Sequence, residues 1–184
     1  MPCMDDIVRQ AMAKWPKVPH CFGWLGLDAR GNWCLRDEQA QAQGPFSGGP
    51  APARGSVVQH DKLIAFIGRN YVCDDATGQW YFQNGPQRVF VELEISPWVW
   101  RVADDFSVGA HTGLSARAQR SYVDEIGRVY LETDIGFGLV HSLDMLHAAD
   151  AIESGLWVPE SVVAEALPAR FFYIISPQAR QAVA

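Results

Sequence analysis

Between residues 134 and 147 the chain gathers Asp134, His141, Asp144 and His147, with Gly136 and Gly138 among them. Two imidazoles and a carboxylate are a familiar set for a divalent metal, and a metal-activated water would make a small hydrolase. On a helix, residues three apart are neighbours, so His141, Asp144 and His147 line a stripe if the helix starts early enough to include His141. The outer pair then stands about 120° apart around the axis, at ~100° per residue. An i, i+4 pair grips one ion better. The competing expectation is a capped helix start whose polar groups bond locally or to water. His111, in Gly109-Ala110-His111-Thr112-Gly113, is a candidate acid, base or ligand from a facing loop, or an ordinary turn residue.

Trp98 and Trp100 share one face of a strand. Exposed, they would floor a groove for a sugar or peptide; buried, they are core. Glu92 and Glu94 alternate with apolar residues, as paired catalytic carboxylates or the solvated face of an antiparallel sheet would. Gly136-x-Gly138 lacks the third glycine and the βαβ setting of a dinucleotide site. No Walker loop, H-E-x-x-H or G-x-S-x-G occurs. No metal site is firmly predicted, and no cofactor.

The elements that must position these residues are legible in part. A helix is predicted from Asp5 or Asp6 to about Trp15, with Ile7, Ala11 and Trp15 on one face, stopped by Pro16. A second runs from Asp61 to Tyr71 on an apolar stripe of Leu63, Ile64, Phe66 and Ile67. A third runs from Leu143 to Glu153 behind Ser142, ending at Gly155. Val89 to Ile95 alternates as a strand, Trp98 to Val102 reads as another, and Phe171 to Ile175 as a buried one. Pro159 could open a short helix, and Ser176-Pro177 another. Gly, Pro, Ala and Gln dominate residues 37–56, which read as a surface loop tolerant of insertion or nicking.

One turn recurs. Asp28, Asp75 and Asp124 each stand three residues before a glycine, and two residues after it comes Trp33, Trp80 or Val129. The expectation is a β-hairpin used three times, with Asp closing the turn, Gly left-handed and the next large residue facing the core.

Four segments carry a family resemblance: Trp15-Pro16-x-Val18-Pro19, Gly23-Trp24-Leu25-x-Leu27-Asp28, Phe82-Gln83-Asn84-Gly85-Pro86-Gln87-Arg88-Val89 and Asp134-x-Gly136-Phe137-Gly138-Leu139-Val140-His141. The chain resembles, over nearly its full length, an uncharacterised proteobacterial family of short cytosolic proteins, a domain of unknown function. The resemblance implies no activity and no catalytic residues.

Composition narrows the remaining classes. A net charge of −6 and only three lysines (Lys14, Lys17, Lys62) speak against nucleic acid as a partner. No apolar run approaches the ~20 residues of a membrane helix, and the acidic start predicts no signal peptide. Cys3, Cys21, Cys34 and Cys73 show no C-x-x-C or zinc spacing and are expected to be reduced, buried or half-buried thiols. Together these predict a cytoplasmic α+β protein, a single domain over residues 1–184. Its antiparallel, meander-rich sheet of seven or so strands would be covered by helices near 5–15, 61–71 and 143–154. The function expected is that of a non-catalytic binding or interaction protein, its partner an unknown protein or small molecule and its oligomeric state open. The alternatives are a metal-dependent hydrolase on His111, Asp134, His141, Asp144 and His147, and a sugar-binding module on Trp98 and Trp100.

Overall fold

The computed structural model describes residues 4–184. It is an α+β structure with two mixed sheets and six α-helices among the described residues, where the sequence predicts one antiparallel meander under three helices. The described residues fall into two compact units, residues 4–28, 32–95 and 173–184, and residues 29–31 and 96–172.

In the first unit α1 (Asp6–Lys14) precedes the hairpin β1 (Cys21–Leu27) and β2 (Trp33–Leu35). Then come α2 (Glu38–Ala42), β3 (Ser56–Val57), α3 (Asp61–Arg69) and a meander of β4 (Tyr71–Asp74), β5 (Gln79–Asn84) and β6 (Gln87–Leu93). The sheet order is β3-β2-β1-β6-β5-β4, and β1 runs parallel to β6. The second unit holds β7 (Trp98–Val102), β8 (Val108–Ala110) and β9 (Ser115–Ala116), then the meander β10 (Ala118–Val123), β11 (Val129–Thr133) and β12 (Gly136–Val140). After these come α4 (Met145–Glu153), β13 (Glu160–Ser161) and α5 (Leu167–Arg170), and α6 (Pro177–Val183) closes the chain. Its order, β9-β8-β7-β12-β11-β10 with β13 added outside β10, repeats the first, and here β7 runs parallel to β12.

The repetition extends to register. Gly26 pairs with Cys34 and Leu27 with Trp33 around the turn 28–32. Arg101 pairs with Gly109 and Val102 with Val108 around the turn 103–107. In parallel, Leu25 pairs with Val91, and Trp100 with Val140. Gly26 and Arg101 therefore hold corresponding places, as do Cys34 and Gly109. The parallel pairs join segments distant in sequence, and no local pattern announces them, which is why an all-antiparallel sheet is the natural sequence expectation.

Local chemistry explains most elements. Asp37 caps α2 through the Ala40 N–H at 2.8 Å, and Ser176 caps α6 through that of Ala179 at 3.1 Å. The tight turn Gly85-Pro86 joins Asn84 to Gln87, with Gly85 at φ +56°. Phe171 to Ile175 is not a strand, because Phe172 sits at φ +52°, outside the extended region. Pro159 opens no helix; Glu160 and Ser161 pair with Tyr122 and Val123 instead. The face of α1 expected to pack is open, with Ile7 and Trp15 exposed and Val8 buried.

The segment 37–56 is no loose loop. Buried Arg36 donates to the carbonyls of Ala53 (2.7 Å), Gly23 (3.1 Å) and Gly44 (2.7 Å). Phe46 is 1% exposed, and Arg54 pairs with Glu94. Glu92, expected on a solvated face, is 2% exposed and accepts from the Ser176 hydroxyl (2.5 Å) and the Gln178 N–H (3.2 Å). Burial raises its pKa above the usual carboxylate value, against the pull of those donors and of Arg36. Cys34 is buried, Cys21 and Cys73 are half-buried, and all three are free thiols; Cys3 lies outside the described residues.

Candidate functional site

The second unit contains a groove of about 800 Å³, a size typical of small-molecule sites. Its origin is topological. Strands β9 and β10 stand at opposite ends of the run β9-β8-β7-β12-β11-β10, yet only Arg117 separates them in the chain. A flat sheet would place them ~24 Å apart at ~4.8 Å per strand. Two Cα steps reach only ~7.6 Å. The sheet must roll until its two ends meet at Arg117, and the groove lies at that seam.

The floor is a cross-strand row. Arg101 pairs with Gly109 and Gly109 with Ser115, so the three share one face. Gly109 leaves the middle of the row without a side chain. A Cβ there would meet only the Leu114 carbonyl oxygen, at 3.8 Å. Phe106, Leu156 and Trp157 line the walls, and Arg117 stands at the seam. A second cavity of about 350 Å³ shares Ala118, Leu156 and Trp157 with the first and continues to Arg120 and Glu160.

Arg101 is held by Asp144, Nε to Oδ2 at 2.6 Å and Nη2 to Oδ1 at 3.1 Å, and the Val102 N–H adds a bond at 3.0 Å. The Arg101 hydrogen bonds lower the Asp144 pKa, outweighing burial, so the pair stays ionised. Arg117 differs: its side chain is 87% exposed and reaches Asp134 only at 3.5 Å. Phe106 stands at φ +64°, in the left-handed region that a non-glycine side chain enters at a cost of about 1–2 kcal/mol. The corresponding place in the β1–β2 turn belongs to Gly31, at φ +81°.

Of the five polar residues singled out by sequence, only Asp144 lines the groove. Asp134 tips the β11–β12 hairpin, accepting the Arg117 N–H at 2.7 Å. His141 caps the turn before α4, its Nδ1 accepting the Leu143 N–H at 3.0 Å. The His147 Nδ1 donates to the Val102 carbonyl at 2.7 Å. The His111 Nδ1 accepts the Val99 N–H at 3.3 Å, and its ring lies 5.6 Å from that of Trp98. Burial of that imidazole pushes its pKa down to about 3, although the residue keeps some exposure. His141, Asp144 and His147 do gather at the end of β7, each bound to backbone. Among the described residues no three His, Cys, Asp or Glu side chains are grouped to hold a metal ion. Trp98 and Trp100 are 1% and 0% exposed and stacked 5.7 Å apart, so neither indole offers a face to a sugar: the condition for that reading fails because both are core.

Sequence reasoning missed Arg101, Phe106, Gly109, Arg117, Leu156 and Trp157. One signal was visible: Arg101 is the lone charge in Trp98-Val99-Trp100-Arg101-Val102. The others are ordinary residues in sequence, united only by the rolled sheet.

The fold and groove thus define an α+β protein with a ligand-sized cleft in its second sheet. Residues 4–178 match the model of the DUF2944 family, described as "Protein of unknown function (DUF2946)", and the chain belongs to that family. The family resemblance read from the sequence is met in this respect: the family is one of unknown function. Two solved structures are similar at low identity. A DUF1285 family protein from Silicibacter pomeroyi is 14% identical, with a TM-score of 0.47, over 80% of this chain and 85% of that one. A DUF1285 family protein from Shewanella baltica is 14% identical, with a TM-score of 0.45, over 69% and 91%. No curated protein matches the chain. Among the described residues no helix is long and apolar enough to cross a membrane.

Proposed function

We propose that this chain is a non-catalytic ligand-binding protein whose site is the groove of the second unit. The observation that carries this is the open middle of the row Arg101–Gly109–Ser115, where Gly109 has no side chain. In the first unit the corresponding row has an occupant: a Cβ on Gly26 would meet the Phe46 ring at 2.5 Å, because that ring lies on the glycine. The second unit keeps the row and lacks the aromatic. Strained Phe106 beside the groove supports the same reading, since residues held in costly backbone conformations concentrate at sites of use.

The test fills the groove. Gly109→Leu adds a side chain where a Cβ has room. The probe is N-phenyl-1-naphthylamine, an uncharged dye that fluoresces in apolar surroundings. Saturable binding at one site, weakened at least about ten-fold in a Gly109→Leu variant of unchanged melting temperature, supports the proposal. Equal binding by the two proteins sinks it.

A further inference from the structure

We infer that the ligand of the groove is a small soluble organic anion: an apolar, ring-sized body carrying one carboxylate, sulfonate or phosphate group. The inference rests on the proposed groove and specifies its chemistry.

The first unit shows the shape of an occupant. Phe46 lays a flat apolar ring on Gly26, the residue paired with Cys34, with the Arg36 guanidinium 5.8 Å from the ring centroid. In the second unit Gly26 is replaced by Arg101 and Cys34 by Gly109. The body that fits over Gly109, against Phe106, Leu156 and Trp157, is again apolar. Its head now meets a guanidinium.

The charges lining the groove are Arg101, Arg117 and Asp144. Both Asp144 oxygens are engaged by Arg101 and the Val102 N–H. Asp144 therefore orients Arg101 and offers little to a cationic ligand. Arg117 is the adjustable partner: exposed, loosely tied to Asp134 and free to turn toward an anion at little cost, as exposed ion pairs are worth at most about 1 kcal/mol. A guanidinium recognises carboxylate, sulfonate and phosphate oxygens through paired N–H groups. The chain as a whole carries a net charge of −6. That net charge repels an anionic bilayer, whereas one small anion in the cleft meets the N–H groups that Arg101 and Arg117 keep beyond those turned to Asp144 and Asp134. A soluble anion is favoured over a lipid surface for that reason.

A matched pair of dyes tests the head group directly. 8-Anilinonaphthalene-1-sulfonate is N-phenyl-1-naphthylamine with a sulfonate added. On the intact chain the sulfonate dye is expected to bind about ten-fold more tightly, the scale of one charge-assisted contact. Arg117→Gln should remove most of that preference, weakening the sulfonate dye several-fold more than the uncharged one. Inorganic phosphate at equal concentration should displace neither dye, because it lacks the body. If both dyes bind in a manner lost in Gly109→Leu, but with equal affinity and no response to Arg117→Gln, the anion inference falls and the groove stands. If neither dye responds to Gly109→Leu, both fall. Co-sedimentation with phosphatidylglycerol vesicles, reduced by Arg117→Gln and with no preference for the sulfonate dye, would overturn the soluble anion in favour of a lipid surface.

Discussion

The two sheets share one strand order and one register, yet the first buries the row that the second leaves open. The difference lies in the link between the second and third strands of each. In the first unit that link is residues 36–55, which include α2, buried Phe46 and the three-carbonyl anchor of Arg36. In the second it is residues 111–114, too short to cover anything. The connection after the third strand differs as well: α3 joins β3 to β4, whereas Arg117 alone joins β9 to β10. A repeated scaffold thus yields a filled face and a groove by varying its connections, the usual place for function on a rigid frame.

The sharpest way to break this comparison is to empty the first face. Phe46→Ala should cost about 3–5 kcal/mol in urea unfolding, the range for truncating a buried phenyl ring. It should also create a second site for N-phenyl-1-naphthylamine, raising the stoichiometry from one to two. A large stability loss with no second site would show that the two rows are not alike.

The three Asp-x-x-Gly turns give a graded series. Asp124 accepts from the N–H groups of Ile126 (3.1 Å) and Arg128 (2.9 Å), from Arg128 Nε (2.6 Å) and from the Tyr130 hydroxyl (2.9 Å). Burial by itself raises its pKa, but these bonds outweigh it and leave it lowered. Asp28 accepts from Asn32, through the N–H (2.8 Å) and the side-chain amide (3.0 Å). In the middle copy the carboxylate that closes the turn is that of Asp74, to the Ala76 N–H at 3.1 Å, while Asp75 is exposed. Alanine at Asp124 should cost about 3 kcal/mol, because it strands buried partners. At Asp28 the expected cost is about 1 kcal/mol. At Asp75 it lies within about 0.5 kcal/mol. Equal losses at Asp75 and Asp124 would restore a single turn used three times.

The smallest expected effect is a difference in pH response. His111, in the second unit, has its pKa lowered from 6.5 to about 3, so the unfolded chain binds the proton more readily. Its stabilising contribution is complete above pH 6.5 and shrinks as pH falls toward 3. Glu92, in the first unit, has its pKa raised above 4.5, so the folded state binds the proton more readily. Its effect has the opposite sign: stability declines as pH rises from 4.5 through the folded value. His111→Asn should flatten the acid limb of a pH–stability curve, and Glu92→Gln should flatten the decline above 4.5. The reverse assignment of the two slopes would contradict the burial that distinguishes these groups.

Local chemistry was legible in the sequence because its causes lie within a few residues. Helices near 6–14, 61–69 and 145–153, the cap at Ser176 and left-handed Gly31, Gly78 and Gly127 all follow from capping, stripes and turn geometry. Even there, the middle turn takes its carboxylate from Asp74 rather than Asp75. The split into two sheets, the parallel pairs β1–β6 and β7–β12, the burial of Glu92 and the commitment of the histidines to backbone were decided only by tertiary structure. So was the groove. Gly109 becomes a floor only when Arg101 and Ser115 flank it, and Arg117 becomes a partner only because a rolled sheet brings its ends together. Pairing between distant segments depends on which surfaces fit once the chain is compact, and that information is spread over the whole sequence rather than written at any one site.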